Sequence, residues 1–200
     1  MEYEKARLVP RRFPNLILVG FMGTGKTTLA RILAERWRRP FFDTDTLIEQ
    51  HVKMSVSDFF SKHGEAAFRE LERECVEKWL PPDGAVIACG GGLVTGCGMP
   101  GILRQKGIVV CLFASAETIY RRICHSSHRP LLQCENPLER IRELLASREA
   151  AYVKSGSGIF TDGRNFLDLA NSIERMYSTA VASRPNAGPG PSLAGVSPDA

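Results

Sequence analysis

Eight consecutive residues, Gly20-Phe21-Met22-Gly23-Thr24-Gly25-Lys26-Thr27, fit the pattern G-x-x-x-x-G-K-[ST]. The chemistry of such a segment is anion binding. Glycines let the backbone curl until successive N–H groups point inward at phosphate oxygens. A helix that starts on the loop adds its partial positive charge. Lys26 can reach the β- and γ-phosphates, and the Thr27 hydroxyl is a hard oxygen ligand suited to Mg²⁺. Gly23, Thr24, Gly25, Lys26, Thr27 and the adjoining Thr28 are therefore the expected nucleotide contacts. A glycine-rich turn that binds nothing is the plain alternative, and the flanking strand and helix patterns argue against it.

A phosphate loop specifies a nucleoside triphosphate and leaves the reaction open. Many such proteins place an Asp at the end of a later apolar strand to hold the metal. Here that strand runs into Cys89 and then Gly90-Gly91-Gly92. The carboxylate on the metal side must come from elsewhere. Asp43-Thr44-Asp45 follows the second apolar run. In a strand-like segment Asp43 and Asp45 point the same way, at the strand end where parallel sheets bind ligands. One carboxylate could hold Mg²⁺ through water, and the other could accept a hydrogen bond from a substrate hydroxyl. Capping of the following helix would explain the same residues more simply.

Two arginines suggest an anionic acceptor. Leu138, Ile141, Leu145, Arg148 and Tyr152 step by three or four, which puts Arg148 on the inward stripe of a helix opened by Pro137. A buried guanidinium is costly unless it meets an anion. Arg69 lies beside the stripe Phe68, Leu71, Cys75 and Trp79. An internal salt bridge, for instance between Arg69 and Glu72, is an equal alternative. Three glycines at 90–92 permit close approach of backbone to ligand, or a tight turn. Residues 122–135 carry Arg122, His125, His128, Arg129 and Pro130. A pre-proline arginine in a flexible lid could stabilise charge on a transferring phosphoryl group. A solvated basic loop would look the same.

The elements that must position these groups alternate. Leu16–Val19, Phe41-Phe42, Ala85–Cys89, Ile108–Phe113 and Ile159-Phe160 read as strands. Helices are expected from Lys26 to Arg36, through 46–80 with breaks near Ser55 and Gly64, from Ser115 to Ile123, from Pro137, and from Asn165 to Ala182. The expected fold is α/β: a three-layer α/β/α arrangement of the kind seen in phosphate-loop NTPases, with a mainly parallel sheet of about five strands. One domain over 15–182 is expected, with a substrate-binding helical region at about 44–80. An N-terminal arm (1–14) and a Pro/Gly/Ser-rich tail (183–200) without fixed structure would flank it.

Composition agrees. The chain has 200 residues, enough for one ordinary domain, 44% hydrophobic and 24% charged residues, and a net charge of +4. Part of that charge sits on Lys5, Arg7, Arg11 and Arg12, which read as a solvated arm, so no nucleic-acid partner is expected. No apolar run is long enough to span a bilayer and no secretory segment is evident, so no membrane partner is expected. The six cysteines make no C-x-x-C pair and read as packed, reduced thiols, which suits the cytoplasm. The four histidines show no metal-ligand spacing.

Taken together, the segments at 20–27 and 43–45, Gly64-Glu65 with Phe68-Arg69, Gly90-Gly91-Gly92, Arg129-Pro130-Leu131-Leu132 and Arg148 before Tyr152 resemble the shikimate kinase family. They occur in the family's order and cover about residues 15 to 180. The resemblance implies transfer of the ATP γ-phosphate to the 3-hydroxyl of shikimate, giving 3-phosphoshikimate for aromatic amino-acid biosynthesis. It also implies ATP and Mg²⁺ as cofactors and a monomeric enzyme. Catalysis would involve Lys26, Asp45 and Arg129. Asp45 would bind the ring hydroxyls and could assist as base. Arg69 and Arg148 would grip the substrate carboxylate, and Gly90, Gly91 and Gly92 would line its pocket. Arg129 would contact the nucleotide phosphates, Asp43 would support Mg²⁺ with Thr27, and Arg122 and Arg164 would lie near adenine. The chain departs from the family pattern at Cys97-Gly98-Met99-Pro100, at Cys124, Ser126, Ser127 and His128 in the lid, and around Thr161–Arg164. Rival readings are another small-molecule kinase, such as a gluconate kinase, or a nucleotide-binding regulatory module that has lost catalysis.

Overall fold

A computed structural model describes residues 13–124 and 135–184. The basic arm, most of the expected lid including Arg129, and the far C-terminal tail lie outside the described residues.

Five strands form one parallel sheet in the order β2-β3-β1-β4-β5. They are β1 (Asn15–Gly20), β2 (Phe41–Asp43), β3 (Val86–Ala88), β4 (Gly107–Phe113) and β5 (Ser157–Phe160). Central β1 pairs Leu16 with Val86 on one side and with Ile108 on the other. Successive apolar residues along each strand face opposite layers, and both faces are covered. Leu16, Leu18, Val86, Ala88 and Val110 pack against α1 (Lys26–Trp37) and α7 (Phe166–Ala182). Ile17, Val19, Ile87, Val109 and Cys111 pack against α4 (Met99–Lys106), α5 (Ala116–Ile123) and α6 (Pro137–Ser155). The result is the expected three-layer α/β/α architecture.

A third, smaller core of Ile48, Phe59, Phe68 and Cys75 lies under α2 (Thr44–Val52) and α3 (Val56–Glu74). The two expected breaks are present. Ser55 caps α3 by accepting a hydrogen bond from the Asp58 amide, and Gly64 interrupts α3 with φ 79°. Asn15 ties the sheet to its loops. Its side-chain amide donates to the Pro81 and Lys106 carbonyls and accepts from the Ala85 amide.

Two elements differ from the sequence expectation. Helix α4 is additional: it is eight residues long, carries Pro100 and Gly101, and starts from Gly98 at φ 73°. So short a segment with both helix-weakening residues has no readable period. Asp45 is helical rather than strand-like, because β2 stops at Asp43 and α2 begins at Thr44. The period-two argument for Asp43 and Asp45 therefore does not hold. The residues still converge, because Asp43 caps α2 by accepting from the Asp45 amide at 3.1 Å.

Among the described residues no helix is long and apolar enough to cross a membrane. Cys75, Cys89, Cys97, Cys111 and Cys124 are free thiols. Burial raises the thiols of Cys75 and Cys111 to about 12, so neither is a nucleophile at neutral pH.

Candidate active site

The segment between β1 and α1 turns back on itself. Gly23 and Gly25 hold φ of 76° and 100°, a region that L side chains rarely enter. The Thr24 hydroxyl donates to the Phe21 carbonyl at 2.7 Å, and the Lys26 ammonium donates to the same oxygen at 2.9 Å. Lys26 is only 8% exposed, so its charge is held at the mouth of the loop rather than in solvent. Thr28 is exposed on the first turn of α1. The Thr27 hydroxyl donates to Asp43 Oδ2 at 2.9 Å. A hydroxyl and a carboxylate already in contact are the hard oxygen donors Mg²⁺ takes, so this pair fits that ion. Asp43 thus both caps a helix, as the simpler reading held, and meets Thr27.

Next to this lies a cluster of charge around the glycine turn after β3. A Cβ built on Gly90 would stand 2.3 Å from Asp45 Oδ1 and 3.3 Å from Glu72 Oε1. One on Gly92 would stand 2.7 Å from Arg69 Nη1, and one on Gly91 would stand 3.1 Å from the Met22 amide of the phosphate loop. The glycines are required because charged side chains and backbone press on them from three directions. The turn is pinned from two helices. The Gly90 amide donates to Thr44 Oγ1 at 2.8 Å, and the Tyr152 hydroxyl donates to the Gly91 carbonyl at 2.6 Å.

Burial raises the Asp45 carboxyl to about 6, with repulsion from Asp43 adding to it and Lys26 opposing it. Burial likewise raises Glu72 to about 7 against the pull of Arg69. Arg69 bonds Glu72 and Glu65, each at 2.6 Å. The expected internal salt bridge is therefore present, yet the same guanidinium faces Gly92. Arg148 is partly exposed rather than fully inward. Its guanidinium lies over the Phe21 ring at 5.6 Å and interacts with the Tyr152 hydroxyl. Among the described residues no carboxylate pairs with it. It remains a cation available to an anionic ligand.

On the other side of the phosphate loop Arg122 donates to the Gly23 carbonyl at 3.1 Å and to Thr161 through Oγ1 at 3.0 Å and its carbonyl at 3.1 Å. Arg164 bonds Ser172 at 2.7 Å, on α7. Thr118, Arg121, Arg122, Gly163 and Arg164 line an open cleft of about 350 Å³. The two expected nucleotide-side arginines thus share one cleft. Among the described residues no group of three or more His, Cys, Asp or Glu side chains could hold a metal ion by itself.

Sequence reasoning had assigned no role to Thr44, Thr161 or the Tyr152 hydroxyl. A buried Thr opening a helix is a weak signal. The other two reveal themselves only through partners far away in the chain.

Three kinds of comparison find relatives of this chain. The family model for shikimate kinase matches residues 22–180. A shikimate kinase of Thermodesulfovibrio yellowstonii is 40% identical over 163 residues, covering 82% of this chain and 94% of the relative. One of Thermoanaerobacter pseudethanolicus is 45% identical over 163 residues, covering 82% and 95%. Among solved structures, shikimate kinase from Acinetobacter baumannii in complex with shikimate superposes with a TM-score of 0.79 at 37% identity, covering 84% of this chain and 94% of that one. Shikimate kinase from Aquifex aeolicus gives 0.72 at 28% identity, covering 84% and 98%.

Proposed function

The chain belongs to the shikimate kinase family and is an ATP-dependent shikimate kinase, and on that premise we propose how its residues divide the work of moving the γ-phosphate to the 3-hydroxyl of shikimate. Asp45 binds the ring hydroxyls and accepts the proton of the attacking one. Its raised pKa of about 6 leaves it ionised at neutral pH and basic enough to take that proton. Arg69, which faces Gly92, and Arg148 hold the substrate carboxylate, Arg148 as the cation that no carboxylate among the described residues neutralises. Gly90, Gly91 and Gly92 keep the pocket wall free of side chains.

The loop amides, with Thr24 and Lys26, hold the triphosphate, and Lys26 stabilises charge on the transferring group. Thr27 and Asp43 would hold Mg²⁺, which when bound neutralises phosphate charge. Arg122 and Arg164 flank the nucleotide in the cleft they share. Arg129, outside the described residues, is assigned to the phosphates by its place before Pro130. Buried free thiols support a reducing, cytoplasmic setting, and we read the enzyme as a monomer.

The observation that carries the assignment is the glycine turn, on which the Asp45 carboxylate and the Arg69 guanidinium both press. An acceptor for hydroxyls and a receptor for a carboxylate thereby sit within one small substrate's reach of the phosphate loop. The test is ADP release with ATP and Mg²⁺, run in parallel with shikimate and with gluconate. Shikimate-dependent release is expected; release with gluconate alone would overturn the substrate.

A further inference from the structure

Tyr152 is nearly fully buried, at 3% exposure, yet its hydroxyl is not turned into the core. It reaches from α6 to the Gly91 carbonyl at 2.6 Å. A phenol has one proton to give and lone pairs to offer. The proton is committed to Gly91, which leaves the oxygen to face Arg148. That residue lies one turn earlier on the same helix, at the i,i+4 spacing that brings side chains together. Burial and the Arg148 charge act on this phenol in opposite directions, and burial prevails, holding it to about 12, so it stays protonated and a donor.

Gly91 is also the residue whose missing Cβ lets the turn lie on the Met22 amide. One hydroxyl thus fixes three things relative to each other: the pocket wall, the helix that carries Arg148, and the flank of the phosphate loop. A phenylalanine would fill the same space and supply none of this. Packing alone therefore does not explain the hydroxyl.

We propose that Tyr152 is a positioning residue for substrate binding: its hydroxyl, shared between the Gly91 carbonyl and Arg148, sets the distance between the glycine turn and the guanidinium that receives the substrate carboxylate. This rests on the assignment of Arg148 to that carboxylate. In this role Tyr152 acts through its two partners, the Gly91 carbonyl and Arg148.

The test is a double-mutant cycle on the full chain with Tyr152→Phe, Arg148→Ala and the pair. Shikimate dissociation constants, steady-state constants and thermal midpoints are read for each. Tyr152→Phe is expected to weaken shikimate binding roughly three- to tenfold, the scale of one lost hydrogen bond. The KM for ATP should move less than about twofold, and kcat should fall less than the shikimate KM rises. In the Arg148→Ala background the same change should add less than about twofold, because the partner it positions is gone. If Tyr152→Phe lowers the thermal midpoint but leaves shikimate affinity unchanged, or if the two losses multiply, the proposal fails. If Arg148→Ala itself leaves shikimate affinity unchanged, the site assignment fails first. Should Tyr152→Phe not fold, the proposal is decided by p-aminophenylalanine at position 152, whose para nitrogen reaches as far as the phenolic oxygen and restores a donor to the Gly91 carbonyl; a folded variant with native shikimate affinity supports it, and one with a tenfold loss overturns it.

Discussion

Replacing Asp45 by Asn should stabilise the protein at neutral pH and remove its activity, and the pH dependence of that gain can be worked out. The carboxyl titrates at about 6 in the folded chain against an ordinary 3.8. Its folded pKa is raised, so the folded state binds the proton more tightly than the unfolded chain does. The stability this contributes is fully present below 3.8 and is lost as pH rises through about 6. The ionised form therefore costs at most about 3 kcal/mol at pH 8, because the side chain is partly rather than wholly buried. Asn keeps the shape and has no charge to bury. The stability difference between Asp45→Asn and the parent should grow from about 0.5 kcal/mol at pH 4 to about 1.6 at pH 5 and about 3 at pH 8. Urea unfolding of both ligand-free proteins across that range measures it. A flat difference, or an Asn variant less stable at pH 8, would show that neighbouring groups fully compensate the ionised carboxylate. The parent's kcat/KM for shikimate should fall as pH drops below about 6, and the Asn variant should show little turnover at any pH.

Lys26→Met should lower kcat at least about a hundredfold while the circular dichroism spectrum stays unchanged, as expected for loss of a charge that acts in the transition state; retained turnover would remove its catalytic role. Gly90→Ala puts a methyl 2.3 Å from Asp45 Oδ1, so the carboxylate must move. The shikimate KM should rise roughly tenfold with the ATP KM nearly constant, and equal changes in both would mean that the turn serves the fold as a whole. Arg122→Ala removes the three bonds that join Gly23 to Thr161. Here the ATP KM should rise roughly tenfold with little effect on shikimate, and isothermal titration with each ligand separates the two.

Local patterns were legible in the sequence and distant partnerships were not. The phosphate loop was readable because strand, glycines, lysine and helix are contiguous, and its geometry depends on little else. The breaks near Ser55 and Gly64 were readable for the same reason. Asp45 was found, but through a strand argument that the structure replaces with helix capping by Asp43. No period could reveal where β2 ends, since the strand has only three residues. Arg69 could be read equally as ligand or as salt-bridge partner, and it makes the salt bridges while still facing the turn. The Tyr152–Gly91 bond joins residues 61 apart, and the Arg122–Thr161 bonds join residues 39 apart. Such pairings follow from how the sheet is wound, which no local spacing encodes.

The strand order β2-β3-β1-β4-β5 has an evolutionary corollary. Central β1 delivers the phosphate loop. The segments leaving β2 and β3 carry Asp45 and the glycine turn on one flank. Those leaving β4 and β5 carry Arg122 and Thr161 on the other. Among the described residues α6, through Arg148, reaches back across. On the proposed assignment, inherited variation after β2 or β3 that spares Asp43 and Gly91 can retune which acceptor is admitted without disturbing the grip on the triphosphate. A lineage built on this winding could diversify its substrates by exchanging one flank at a time.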